Sequence, residues 1–246
     1  MAGVRLRFLG CGEAFGSGGR LNTCFLVEAG ADRFLIDCGT TALIGMRRFG
    51  VDPNGIGLIL LSHLHGDHFG GLPILLLDAL HVSNRRAPLV IAGPPGTRER
   101  LERAMEALYP NSSKTAWAFG LEVVELELER ERRLGGVTVT PYEVVHPSGA
   151  PSLALRIACA GRTIAFSGDT EWTEALIPAA RGADLFLAEC YTYERKVKGH
   201  TDLKTLAAHL DGIGAKRVVL THMSADMLER PDVGFERAED GAVIDL

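Results

Sequence analysis

Closely spaced cysteine pairs are missing from this sequence, and so is any long apolar run. The five cysteines (Cys11, Cys24, Cys38, Cys159 and Cys190) stand far apart among apolar neighbours and are odd in number. That pattern excludes a disulfide framework and fits buried thiols in a reducing compartment. The longest apolar run, around residues 72 to 80, is too short to span a bilayer, and the opening MAGVRLRFLGCG lacks the apolar stretch of a secretory signal. A soluble, cytoplasmic protein with no membrane partner is expected. Excess positive charge is absent too: 26 Lys and Arg against 31 Asp and Glu leave a net charge of −5. Nothing general therefore attracts nucleic acid or an anionic membrane, and a polyanionic substrate needs a local positive site. No low-complexity linker divides the chain, and 46% hydrophobic residues are ample for a core, so residues 1–246 are expected to form a single domain.

What is there begins with short β-type runs at 4 to 10, 22 to 29, 32 to 37 and 57 to 63, broken by glycine-rich turns. Helical patterns are expected at 40 to 49, 72 to 82 and 96 to 108, the last preceded by Pro94 and Pro95. Strands return at 121 to 128 and 136 to 145, joined by the charged ERERRLG, which reads as a solvated hairpin tip. A hairpin at 152 to 169, a strand at 183 to 190, a helix at 202 to 211 and a strand at 216 to 222 follow. Two pairs of segments echo each other: GADRFLIDCGT with AGRTIAFSGDT, and LILLSHLHGD with RVVLTHMSAD. They imply two similar halves packed face to face, each contributing strand ends to one site.

The chemistry is concentrated in LILLSHLHGDHFGGL, residues 58 to 72, where His63, His65, Asp67 and His68 follow a run of aliphatics. In an extended segment residues two apart share a side, so His63 and His65 can reach one metal ion. The turn at Gly66 re-aims the chain and lets Asp67 and His68 reach a second. Imidazole and carboxylate donors suit zinc, with manganese or iron as alternatives, and the lack of a neighbouring cysteine argues against a thiolate structural site. Burying such a cluster without a partner ion would be costly. Further donors are expected at other strand ends: His146 after PYEVV, Asp169 after TIAFSG and His222 after VVLT.

The series His-x-His-x-Asp-His (63 to 68), His146, Asp169 in SGDT and His222 in LTHMS resembles the metallo-β-lactamase-fold hydrolases, in the right order over nearly the whole chain. The resemblance implies an α/β, four-layer αββα sandwich with the metal site at one edge of the two sheets. It implies that Asp37 supports the ligand loop, that His63, His65 and His146 hold one divalent ion, that Asp67, His68 and His222 hold the other, and that Asp169 bridges them. Two ions so placed lower the pKa of a shared water toward neutrality, so hydrolysis is expected. Class B β-lactamases usually carry cysteine or histidine where this chain has Asp169, and flavodiiron proteins carry glutamate at the position of Gly66, which disfavours both chemistries.

Glu189 in LFLAEC and His200 in KGHTDLKTLAAH, with the opening GCGEAFGSGGRLNTCFLV and with IAGPPG, resemble elements of the tRNA 3′-processing endonuclease (ribonuclease Z) group and its small phosphodiesterase relatives. The resemblance implies a phosphodiesterase acting on a small phosphodiester or a nucleic-acid end. In it, His200, polarised by Glu189, protonates the leaving oxygen or binds phosphate, and Asp67 orients the attacking hydroxide. The alternatives are a tRNA 3′-end endonuclease lacking its usual arm, since only a hairpin fits between His146 and Asp169, and a lactone, thioester or carboxylic ester hydrolase. Family relatives are often dimers, the only ground for expecting a homodimer. Arg85 with Arg86, and Arg195 with Lys196 and Lys198, are candidates for phosphate contact or solvated faces. His81 and His209 match no motif, and His209 is expected to pack or be solvated.

Overall fold

Alternate residues along the strands enter two different apolar environments, and that alternation sets the layers. In the computed structural model of the chain, which describes residues 3–246, two sheets of seven strands face each other. Met1 and Ala2, the start of the expected 1–246 domain, lie outside the described residues. The first sheet holds β1 (Val4–Gly10), β2 (Cys24–Ala29), β3 (Asp32–Ile36), β4 (Leu58–Leu60), β5 (Leu89–Gly93) and β6 (Leu121–Glu125) in chain order, with β14 (Val243–Asp245) beside β1. The second runs β7 (Arg132–Leu134), β8 (Val137–Val144), β9 (Ser152–Cys159), β10 (Arg162–Phe166), β11 (Leu185–Glu189), β12 (Val218–Thr221) and β13 (Glu236–Arg237).

Phe25 and Val27 of β2, with Phe34 and Ile36 of β3, turn inward to meet Leu155, Ile157, Phe166 and Leu187 of the opposite sheet. Their neighbours Leu26 and Leu35 turn outward and pack under the helical layer of α1 (Ala42–Arg48), α3 (Leu72–His81) and α4 (Thr97–Leu108). On the other outer face Ala165, Phe186 and Leu220 pack with Leu203 and Leu206 of α6 (Leu203–Ile213) and Met227 of α7 (Ala225–Leu228). The result is the αββα sandwich that the family resemblance implied. Among the described residues no helix is long and apolar enough to cross a membrane.

Each sheet changes pattern in the same place. β1, β2 and β3 are antiparallel and β3 to β6 parallel; β8, β9 and β10 are antiparallel and β10 to β13 parallel. Strands β1 to β6 thus correspond in order to β8 to β13, which bears out the two-halves expectation. The equivalences correct one detail: β4 matches β11, and β12 matches β5, so the echo between LILLSH and VVLTH joins strands that are not equivalent by position.

Boundaries moved where side chains claim the backbone. The strand expected at 57 to 63 stops at Leu60, because Ser62 N donates to the Asp37 carboxylate rather than to a neighbouring strand. The helix expected at 202 to 211 starts at Leu203, with Asp202 as its cap accepting from Thr205 N at 3.0 Å. The charged segment after Glu129 forms the short edge strand β7, whose exposed arginines discourage edge-to-edge pairing.

Phe25 sits edge-on between Phe8 (5.3 Å, 77°) and Phe166 (5.4 Å, 84°), tying β1 and β2 to the opposite sheet. Phe25→Ala should destabilise the fold by about 3–5 kcal/mol, the usual cost of such a truncation in a core, read as a lower midpoint in denaturant unfolding. A loss below about 1 kcal/mol would show that the sheets do not depend on this contact.

Candidate metal centre

Every residue named from the sequence as a candidate donor stands at the same edge, where β3, β4, β8, β10, β11 and β12 end. The chain leaves β4 extended through His63 and His65 and closes into the single-turn helix α2 (Gly66–Phe69), so His63 and His65 come off extended backbone and Asp67 and His68 off the turn. His146 follows β8, Asp169 β10, Glu189 closes β11 and His222 follows β12. His222 and Asp37 have left-handed backbone, at φ 57° and 59°, a conformation that costs a non-glycine residue about 1–3 kcal/mol and tends to occur at functional sites.

Two groups of donor atoms form within this edge, His63 with His65 and His146, and Asp67 with His68, Asp169 and His222, and a third overlaps the second by joining Glu189 and His200 to Asp169 and His222. His146 Nε2 lies 3.0 Å from His65 Nδ1, and His222 Nε2 lies 3.1 Å from Asp67 Oδ2 and 3.2 Å from Asp169 Oδ2. Asp169 stands between the groups, 3.2 Å from His68 Nε2 and 3.8 Å from His63 Nε2.

Hydrogen bonds behind the cluster fix which ring nitrogen faces inward. His68 Nδ1 donates to Asp37 Oδ2 at 2.6 Å, and His146 Nδ1 donates to Gly199 O at 2.8 Å. His63 Nδ1 donates to Ser62 Oγ at 3.1 Å, which in turn donates to Asp37 Oδ2 at 2.7 Å. The opposite Nε2 atoms are left with lone pairs aimed at one another. His63 Nε2 and Asp169 Oδ1 are fully buried without a hydrogen-bond partner, an arrangement that is costly for a protein alone and that a shared cation satisfies.

Electrostatics agree. Burial, then the charge of neighbouring imidazoles, pushes His63 and His65 below the usual histidine range, so both are neutral donors at pH 7. Burial would lower His222 as well, but Asp169 and Asp67 outweigh it and raise the ring to about 10. Burial would raise Asp169, yet His222 and His68 hold it well below the usual carboxylate range. Carboxylates that draw protons this strongly onto imidazole draw a divalent cation in the same way. The donor set therefore fits two oxygen- and nitrogen-loving divalent ions.

Beside the cluster, His200 Nδ1 bonds to Glu189 Oε1, whose carboxylate is buried. Glu189 Oε2 accepts from Thr170 N at 2.7 Å and Thr201 N at 3.4 Å, so the acid cannot rotate. Burial opposes protonation of His200, but Glu189 outweighs it and raises the ring above its ordinary value. Tyr191 stacks on His200 with centroids 4.6 Å apart. A cavity of about 490 Å3 lined by Trp172, Lys198 and His200 opens alongside.

Sequence reasoning missed the supports: Ser62, Thr170, Tyr191 and Gly199. Gly199 has φ 81°, and a Cβ there would come within 2.9 Å of His146 Nδ1. The only hint was that Ser62 precedes the first histidine and Thr170 follows Asp169. One expectation is corrected. Arg85 is buried, and its guanidinium donates to the carbonyls of Ala87, Pro53 and Pro88, so it clamps a loop and is not free for phosphate. His209 stacks on Trp172 at 3.9 Å, the first of the two alternatives, packing or solvation, expected of it. Between His146 and Asp169 there is only a short turn and the β9–β10 hairpin, with no further arm.

A β-sandwich of this topology with clustered His and Asp at one edge defines a hydrolase of the metallo-β-lactamase fold in the ribonuclease Z-like branch. More narrowly, the chain belongs to the family described as Anti-Pycsar protein Apyc1, whose model matches residues 4–238. Ribonuclease Z of Mycobacterium bovis (strain BCG / Pasteur 1173P2) is 28% identical over 239 residues, covering 89% of this chain and 85% of that protein. Human tRNase Z, short form, superposes with TM-score 0.77 at 27% identity over 98% of both chains. The metallo-β-lactamase-fold protein YhfI from Bacillus subtilis does so with TM-score 0.78 at 21% identity, over 99% of this chain and 100% of that one.

Asp37→Asn takes the charge from the acceptor of His68 and Ser62. Supports of this kind are worth about 10–100-fold in metal affinity, so competition with a chelating dye should show a loss of that order, with far-UV circular dichroism unchanged. Unaltered affinity would mean that Asp37 does not orient the cluster.

Proposed function

We propose that this protein is a dinuclear metal-dependent phosphodiesterase acting on a small phosphodiester or a nucleic-acid end. The observation that carries the reading is the immobilised His200–Glu189 pair immediately beside two convergent donor groups. In this reading His63, His65 and His146 hold one ion, Asp67, His68 and His222 the other, and Asp169 bridges. Zinc is the proposed metal, on the grounds of its preference for imidazole and carboxylate donors. When bound, the ions supply Lewis acidity and a water made acidic enough to attack at neutral pH.

The chain's own groups do the rest. Asp67 would also orient the attacking oxygen. His200, whose affinity for its proton Glu189 raises, gives that proton to the departing oxygen or donates to the phosphoryl group. The cavity beside His200, with Lys198 on its wall, leaves room for the departing group. A cytoplasmic location is part of the proposal, supported by five cysteines that are all buried and unpaired. Relatives named ribonuclease Z favour RNA 3′ ends as a second reading. The acidic chain and the bare β9–β10 hairpin weigh against tight tRNA binding.

Metal-loaded protein should hydrolyse bis(p-nitrophenyl) phosphate, and Asp169→Ala prepared in the same way should not. Activity in both would remove Asp169 from the mechanism; activity in neither, with two ions bound, would turn the assignment to lactones and thioesters. On a diester with an alkoxide leaving group His200→Ala should lower kcat by about 10²–10⁴-fold, the range for loss of a general acid, with KM much less affected. The loss should be far smaller on bis(p-nitrophenyl) phosphate, whose p-nitrophenolate departs without a proton. An equal loss on a substrate whose leaving group needs no proton would instead assign His200 to phosphate binding.

A further inference from the structure

His146 differs from the neighbouring donors in how its ring is supported. His63 and His68 are held from behind by the buried Ser62 and Asp37, whereas the ring of His146 is held by one backbone carbonyl, that of Gly199, which accepts from Nδ1 at 2.8 Å. Gly199 belongs to a four-residue turn from Val197 to His200, closed by His200 N donating to Val197 O at 3.0 Å. Its φ of 81° at the third position, with Lys198 at negative φ, is that of a type II turn. The N–H of the third residue takes no part in the bond that closes such a turn, so it needs a partner outside. Glu171 is that partner, and its Oε1 accepts from Gly199 N at 2.8 Å.

The half-buried Glu171 is itself fixed. Its N–H donates to Val145 O at 3.0 Å, and Val145 N donates to Thr170 Oγ1 at 3.0 Å. Thr201 Oγ1 donates to Thr170 O at 2.5 Å, which ties the far side of the turn to the same segment. A closed circuit results. It runs along the chain from Val145 to His146, through the imidazole to Gly199 O, from Gly199 N to the Glu171 carboxylate, and from Glu171 N back to Val145 O. One residue therefore holds both the main chain before His146 and the turn behind its ring, and the ring cannot swing without breaking a bond of the circuit.

We propose that Glu171 is a positioning residue for the metal centre: acting through Gly199, it orients His146 and so sets the affinity of the group His63, His65 and His146 for its ion. This rests on the dinuclear reading of the site. A ligand imidazole presents the right nitrogen only when its other nitrogen has a fixed partner. A glycine carbonyl alone is a poor one, because glycine moves between backbone conformations at little cost. The Glu171 carboxylate removes that freedom by holding the turn. Asp37 acts on His63 in a similar way through Ser62; in both cases a carboxylate reaches a ligand through an intermediate hydrogen-bonding group. Loss of the Glu171 side chain leaves the Glu171 N–Val145 O bond in place, so Asp169, two residues earlier, and the ion held with Asp67, His68 and His222 should be little disturbed.

Competition for zinc against a chelating dye resolves the affinities of the two ions. Glu171→Ala should weaken one of them by about 10–100-fold, the range for loss of such a support, and leave the other unchanged. Glu171→Gln, which keeps an acceptor oxygen, should restore most of the affinity. In proton NMR spectra of the same samples the ring N–H of His146 should exchange with solvent faster in Glu171→Ala but not in Glu171→Gln, a signal that a merely structural role would not move. Two unchanged affinities overturn the proposal, and so does an equal weakening of both ions, which would mark a general loosening of the fold. Wild type that binds fewer than two ions would sink the dinuclear reading itself, while exchange of the His146 proton would still decide whether Glu171 holds the ring.

Discussion

Asp37 has no exposed surface, yet it is an acceptor for three hydrogen bonds: from Ser62 N at 2.7 Å, Ser62 Oγ at 2.7 Å and His68 Nδ1 at 2.6 Å. Burial alone pushes its carboxyl up, and His68 and Ser62 oppose that. A buried anion is tolerated only when its oxygens are matched in this way, and the matching dictates where the next elements go. Ser62 must leave the line of β4, which frees the chain to turn toward the edge. Cys38 N then bonds to His68 O at 2.7 Å and Gly71 N to Cys38 O at 2.9 Å, so the exit of β3 is locked to the segment that bears the donors. The orientation of His63 and His68 follows from a carboxylate that does not itself face the cluster.

The pseudo-repeat explains why the two halves do different jobs with similar sequences. β3 and β10 are equivalent, and each is followed by an aspartate at the same edge. After β3 the left-handed residue is Asp37 itself, immediately beyond Ile36; after β10 it is Gly168, at φ 60°, and Asp169 comes one residue later. Two extra residues carry Asp169 past the end of the sheet to face the imidazoles, whereas Asp37 stays beneath them. Gly168 has to be glycine, because a Cβ there would lie 2.6 Å from Leu153 O and 3.2 Å from Ser62 Cβ. The halves meet at that point, and Leu153 N donates to Ser62 O at 2.9 Å. A small offset in an otherwise repeated hairpin thus separates a supporting acid from one placed among the donors.

Much of this was legible in the sequence, and the parts that were not share a cause. Contiguous chemistry shows itself: six positions from His63 to His68 carry too many ionisable groups behind Leu58–Leu60 to be read as ordinary core. Strand-end residues such as His146, Asp169 and His222 are legible once aliphatic runs mark the strands. Supports that act through backbone atoms leave little trace. Gly199 matters for its carbonyl and its missing Cβ, Thr170 for its N–H, and neither property has a composition signature. Arg85 looked like half of a basic pair because nothing in the sequence tells that three or more carbonyls will converge on it. The LILLSH and VVLTH echo misled for a related reason: both are buried parallel strands ending at one edge, and similar environments select similar residues at positions that the fold does not relate.

In the proposed reading, ions held at this centre would meet atoms common to all phosphodiesters and so would separate one substrate from another poorly. Discrimination requires contacts that differ between competing substrates, and those must come from surfaces that lie beyond the cluster. Two are present at its border: the loop whose Phe15 and Ser17 amides are held by the Glu13 carboxylate and which meets His222 N through Cys11 O, and the Lys198-lined cavity beside His200, next to the Gly199 carbonyl that accepts from His146 Nδ1. Their placement lets the rim vary residue by residue while the buried network of Asp37, Ser62 and Glu189 stays intact. With only the β9–β10 hairpin between His146 and Asp169, selection by this chain rests on short loops close to the reacting phosphorus. In the proposed reading, that favours a small phosphodiester over a folded RNA gripped at a distance.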